Sequence, residues 1–210
     1  MPSPVVTEVP SVGLSASPMV YPLDDFYAQA GRPLPRIEVV QGADVPQPYK
    51  TLLVHKHDMT PTLRGFYGRA IHLQVLRRQQ RDDFYFREVV LLLEGSGAPV
   101  EFGAIKINLS LFPPAARRHI LEERLPLGQI LHEHGIPHSS RPKAFLRIFS
   151  DDLINQALGL NGVQELYGRR NTLSDSVQRP LAEIVEILPL AAPDRATSRS
   201  ESVAPKKGLL

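Results

Sequence analysis

Cysteine is absent from the 210-residue chain, which excludes both disulfides and a thiol nucleophile. Charge of one sign is also scarce: 24 Lys and Arg stand against 22 Asp and Glu, a formal net charge of +2. Nucleic-acid binding calls for clustered bases. The nearest approach is Arg77-Arg78 with Arg81, which reads as a solvated tip beside a turn. No apolar run is long enough for a membrane span. The opening stretch, MPSPVVTEVPSVGLSASP, lacks the basic start and the continuous apolar core of a secretory signal. A soluble cytoplasmic monomer is expected, with a small-molecule partner and with neither nucleic acid nor membrane insertion. There is no internal repeat, no glycine-rich phosphate loop and no Ser-His-Asp motif.

What is there is a globular composition. Hydrophobic residues make up 42% of the chain, enough for one domain with its own core. The 20 prolines crowd the two ends and the connections. Residues 1–19 read as a disordered arm, 20–190 as the folded domain and 191–210 as a polar disordered tail.

Within the domain the hydrophobic period switches between helical and strand spacing. Tyr21–Ala30 reads as a short helix with Leu23, Phe26 and Tyr27 near one face. A connection with Gly42 and two prolines leads to a second helical candidate, Pro48–His55. His57-Asp58-Met59-Thr60 introduces a third helix, through about Tyr67, with Asp58 or Thr60 to cap it and Pro61 in its first turn. Arg69–Arg78 alternates as a strand, and Gln79–Asp82 reads as a turn. Phe84–Leu93 and Val100–Leu109 are strands on either side of Glu94-Gly95-Ser96-Gly97. Pro113–Glu123 and Leu127–Glu133 have a helical period, Lys143–Phe149 reads as a strand and Asp151–Leu158 as a helix. Val163–Ser174 and Pro180–Leu188 form a closing pair of strands. Hairpin order implies an antiparallel sheet. The expected class is α+β, with a single sheet of about six strands and helices packed on one face.

Few residues in these elements invite chemistry. His132-Glu133-His134 with His138 is the most metal-like cluster, but Gly135 and Pro137 break the helix that would align it, so a surface loop is expected. Arg87 leads an apolar run, Val89–Leu93. It could take a carboxylate at a pocket mouth or simply pair with Glu88 or Asp83. Glu183 and Glu186 interrupt the last strand and point to opposite faces, so one of them could face the interior as an acid–base group. The period does not say which. Arg169 and Arg170 pose the same choice one strand earlier, and one of them could reach the same cavity.

Five short pieces, in order, resemble the chorismate pyruvate-lyase family: Asp58-Met59-Thr60, Arg87-Glu88, Pro126-Leu127-Gly128, Tyr167-Gly168-Arg169-Arg170, and Arg179-Pro180 leading to Glu186 in Glu-Ile-Leu-Pro. The resemblance covers roughly Leu52 to Pro189. It implies a highly twisted antiparallel sheet with helices on one side, related to the UTRA-type ligand-binding domains of bacterial regulators. It implies removal of pyruvate from chorismate to leave 4-hydroxybenzoate, a step of quinone biosynthesis, without metal or organic cofactor. By the same resemblance Arg87 and Glu186 are the catalytic residues. Arg87 binds the ring carboxylate, and Glu186 (or Glu183, if the register shifts) sits at the ether end. Met59, Thr60, Leu127, Gly128 and Arg170 line the substrate. A related enzyme acting on another carboxylated ring or polyketide-like substrate is the alternative, as is a non-catalytic binding protein on the same fold.

Overall fold

A computed structural model describes residues 19–189. Apart from Met19, the expected arm (1–19) and tail (191–210) lie outside the described residues. The elements run α1 (Leu23–Gln29), β1 (Ile37–Val40), α2 (Tyr49–Leu53), α3 (Met59–Tyr67), β2 (Ile71–Arg81), β3 (Phe84–Leu93), β4 (Pro99–Asn108), α4 (Pro114–Leu121), α5 (Leu127–Glu133), β5 (Ser139–Phe149), α6 (Asp152–Leu158), β6 (Glu165–Ser174) and β7 (Pro180–Leu188). All seven strands join one sheet in the order β1-β5-β6-β7-β4-β3-β2, and every neighbouring pair is antiparallel.

This is the α+β architecture the period predicts, with one strand more than the expected six. The addition is β1, which pairs Ile37–Val40 with Phe145–Ile148 at the sheet edge. Four residues among prolines are too few to show alternation. A second difference lies at Arg77–Arg81. The strand continues to Arg81 where a turn was expected from Gln79, and the turn is confined to Asp82-Asp83. Arg78 and Arg81 are exposed there, as a solvated tip implies, and pair with Glu123 and Asp25, while Arg77 is half-buried on Glu88.

Side chains alternate across the sheet and build cores on both sides. On one face Phe86, Val90, Phe102, Leu146, Val185 and Ile187 pack against Leu23 and Phe26 of α1 and Ile154 of α6. The expected gathering of helices over one face is found on the other side, where α2 to α5 lie. They make two clusters. Ile105, Ile107 and Leu173 meet α4 and α5 through Ala116, Ile120 and Ile130. Leu91, Leu93, Tyr167 and Leu188 meet α2 and α3 through Leu52, Leu53 and Leu63. The strand centre between these clusters is left for a cavity.

Candidate functional site

The cavity lies over β3, β4, β6 and β7 and is roofed by the first turns of α3 and α5. Met59 and Thr60 line it from α3, and Leu127 and Gly128 from α5. Its floor is Arg87, Val89, Leu91, Glu101, Gly103, Ile105, Asn171 and Glu186. These residues share a face because each strand contributes every second position. The cavity volume is about 60 Å³, room for a few waters at about 10–15 Å³ each.

Arg87 is 2% exposed, and its Nε and Nη1 are buried without a hydrogen-bond partner. No ion pair reaches it among the described residues. Burial pushes its guanidinium down to about 10, opposed only weakly by Tyr85 and Glu123. Glu123 is already engaged: it accepts from the Tyr85 hydroxyl and from Arg78. An unpaired cation in an apolar interior costs several kcal/mol, so a guanidinium held this way is set for an anion that arrives from outside. The pairing with Glu88 does not form, since Glu88 points to the opposite face and receives Arg77 at 2.6 and 3.0 Å.

Glu186, not Glu183, faces the cavity. It is 3% exposed and accepts from Arg169 Nε through Oε2. Arg169 is fully buried, and its remaining donors meet backbone carbonyls, with Nη1 also 3.4 Å from His55 Nδ1. Its Nη1 donates to the Leu53 and His55 carbonyls at 3.3 Å, and its Nη2 to the His57 carbonyl at 3.1 Å. One side chain thus fixes both the carboxyl and the segment that leads into α3. Arg170 is a correction to the expected substrate-binding set. It lies on the far face, where its Nη2 reaches Glu183 Oε1 at 2.7 Å and Lys106 reaches Oε2 of the same carboxylate at 3.4 Å. Neighbours on a strand point apart, and the buried member of the pair is Arg169.

Backbone packing explains why β7 can bring Glu186 this close to its neighbours. A Cβ on Gly168 would stand 2.3 Å from the Glu186 carbonyl oxygen, so only glycine fits there. The roof is built from uncapped helix starts. Neither Asp58, before α3, nor Pro126, before α5, makes a side-chain cap bond. The free N–H groups of a first turn favour negative charge nearby.

Asp58 is instead drawn to His138. His138 Nε2 lies 2.7 Å from Asp58 Oδ2, and its Nδ1 lies 2.9 Å from the Ile136 carbonyl. Both partners can only accept, so this ring carries two protons. The Asp58 carboxylate accordingly raises its pKa above the ordinary 6.5. His132, His134 and His138 form no metal-like cluster among the described residues: His138 is on Asp58, and His134 lies on His119 at 3.0 Å.

Two floor residues escaped the sequence reading. Glu101 Oε2 and Asn171 Oδ1 are buried without partners, like the Arg87 nitrogens, and both line the cavity. Glu101 stands just past a turn and reads as polar turn edge. Its signal was the count from Arg87 through the hairpin, which places Glu101, Gly103 and Ile105 on Arg87's face. Asn171 carries a similar signal, two residues beyond Arg169.

No family model and no curated protein matches the chain. Among solved structures it is similar to PhnF from Mycobacterium smegmatis, with 12% identity, 65% of each chain covered and a TM-score of 0.48. The match therefore spans less than two thirds of that protein. The effector domain of the same PhnF is matched at 12% identity over 62% of this chain and 87% of that one, with a TM-score of 0.47. A GntR-family transcriptional regulator from Bacillus cereus is matched at 14% identity over 64% and 99%, with a TM-score of 0.40. None reaches 0.5, and the function of this chain is argued from its own residues.

Proposed function

We propose that the protein is a chorismate lyase, which eliminates pyruvate from chorismate to give 4-hydroxybenzoate without a cofactor. One observation carries the reading: one cavity holds an unpartnered buried guanidinium, Arg87, and a clamped buried carboxyl, Glu186. Arg87 would take the ring carboxylate in a two-pronged grip. Met59 and Leu127 would close over the ring, and Val89, Leu91 and Ile105 would support it from below.

Losing the enolpyruvyl group and one ring proton makes an aromatic ring, so the reaction runs strongly downhill. The protein needs to orient the substrate, exclude water and supply proton transfer. Glu186 is suited to that transfer. Arg169 holds Oε2 and leaves Oε1 for the ligand. Because α3 and α5 roof the cavity, release requires them to part, and a slow off-step is expected.

The test is incubation of the purified protein with chorismate, without added metal, and quantification of both products. Equal amounts of 4-hydroxybenzoate and pyruvate support the reading. A folded protein that gives neither overturns it. A second reading, binding without catalysis, is favoured by one observation: Glu186 is already committed to a buried ion pair with Arg169. It predicts 4-hydroxybenzoate binding without chorismate turnover, insensitive to Glu186→Gln.

A further inference from the structure

Glu101 is the buried ionisable group that the reading above leaves unused. It stands opposite Leu91 on β3, two residues before Gly103, and Gly103 stands opposite Glu186 on β7. Its side chain is laid over that glycine: a Cβ at Gly103 would come within 3.2 Å of Glu101 Oε1. The glycine thus leaves the space that lets the Glu101 carboxyl lie along the floor towards Glu186. Diagonal neighbours on a sheet stand about 7–8 Å apart, within reach of two glutamates.

No structural duty accounts for this carboxyl. Its Oε2 is buried with no partner, and no cation pairs with it among the described residues. Arg169, whose charge acts on it, is already engaged by Glu186, three carbonyls and His55 Nδ1. Burial first, and the Glu186 charge second, raise Glu101 well above the usual carboxylate range, which favours its protonated form. Arg169 opposes this more weakly. Two carboxyls thus share one cavity, one clamped to a cation and one with a buried oxygen that has no partner.

We propose that Glu101 is the general acid of this site and that Glu186 is its base. The assignment rests on the lyase reading. The Glu186 carboxylate takes the proton from the ring carbon that bears the hydroxyl. That C–H electron pair becomes the third double bond of the aromatic ring. The neighbouring carbon–oxygen bond breaks with its pair on the ether oxygen, which receives the Glu101 proton. The products are 4-hydroxybenzoate and the enol of pyruvate, which tautomerises in water. The proton gained by Glu186 then passes to Glu101 and restores both groups. Asn171 Oδ1, an unpartnered acceptor on the same floor, would take the substrate hydroxyl and is a positioning residue.

The experiment measures kcat and KM for chorismate across pH for wild type and Glu101→Gln, with 4-hydroxybenzoate binding to each. Glutamine keeps the size and neutrality of the side chain but cannot deliver the proton. The expected result is a fall in kcat of about 10²–10⁴-fold. KM and product affinity should stay within about threefold, and the alkaline decline of kcat should disappear. Glu101→Gln with kcat within about threefold of wild type overturns the assignment. If that variant does not fold, wild type decides: a kcat that stays flat on the alkaline side also overturns it. An inert wild type overturns the lyase reading and the acid with it, whereas an active wild type with an active Glu101→Gln overturns the acid alone.

Discussion

Arg87 and Glu88 are adjacent in the chain and opposite in circumstance. On the face under α1 and α6, Glu88 is buried and fully answered: Arg77 reaches both of its oxygens. On the face under α2 to α5, Arg87 is as deeply buried and none of the described residues answers it. The same contrast recurs on β7. Glu183 shares two cations on the first face, while Glu186 on the second is clamped on one oxygen only. One face spends its charges on holding the fold. The other keeps charges in reserve, and unspent polar groups in a cavity are what a ligand can use.

Removing charge should therefore have opposite consequences on the two faces. The largest effect is expected from Arg87→Met: a fall in chorismate kcat/KM of about a thousandfold, worth about 4 kcal/mol. Its melting temperature should hold or rise, because the unpaired buried cation is gone. A variant that is both active and destabilised would erase the contrast. Arg169→Met strips Glu186 of its partner inside the protein and should cost about 3–5 kcal/mol in denaturant unfolding. Glu88→Gln should cost less, about 1–2 kcal/mol, because the Arg77 left behind is partly exposed and can hydrate. Activity should be unchanged in that variant, and a large kinetic defect would show that the faces are coupled.

The smallest effect concerns the His138–Asp58 contact. Its partner raises the His138 pKa, so the contact is fully present below about pH 6.5 and is lost as pH rises through the raised value. Product release, followed by stopped flow, should quicken over that rise. His138→Gln should flatten the dependence, and an unaltered profile would remove the contact from the release step.

Strands with strong alternation were legible from sequence. Phe84–Leu93, Pro180–Leu188 and the helix Leu127–Glu133 lie where the period puts them. Period two also showed that Glu183 and Glu186, and Arg169 and Arg170, must part company. It could not say which member went inside, because that depends on which face carries the roof. The choice of Arg170 failed for this reason. Arg87, Met59, Thr60, Leu127, Gly128 and Glu186 do meet in one cavity. Glu101 and Asn171 stayed hidden because a polar residue near a turn or next to two arginines looks solvated until the pairing of four strands is known.

The strand order carries a consequence for how the chain assembles. β2, β3 and β4 form one run of hairpins, β1, β5 and β6 form a second group of paired strands, and β7 joins the two, seated between β4 and β6. Until Pro180–Leu188 arrives, both runs present a long open edge, and such edges recruit other chains. Loop closure over so large a separation is also slow. The residue that completes the cavity, Glu186, thus travels on the same strand that zips the two halves together. A chain interrupted before Pro180 would lack Glu186 and leave both edges open to aggregation, so that closing the sheet and completing the cavity become the same event.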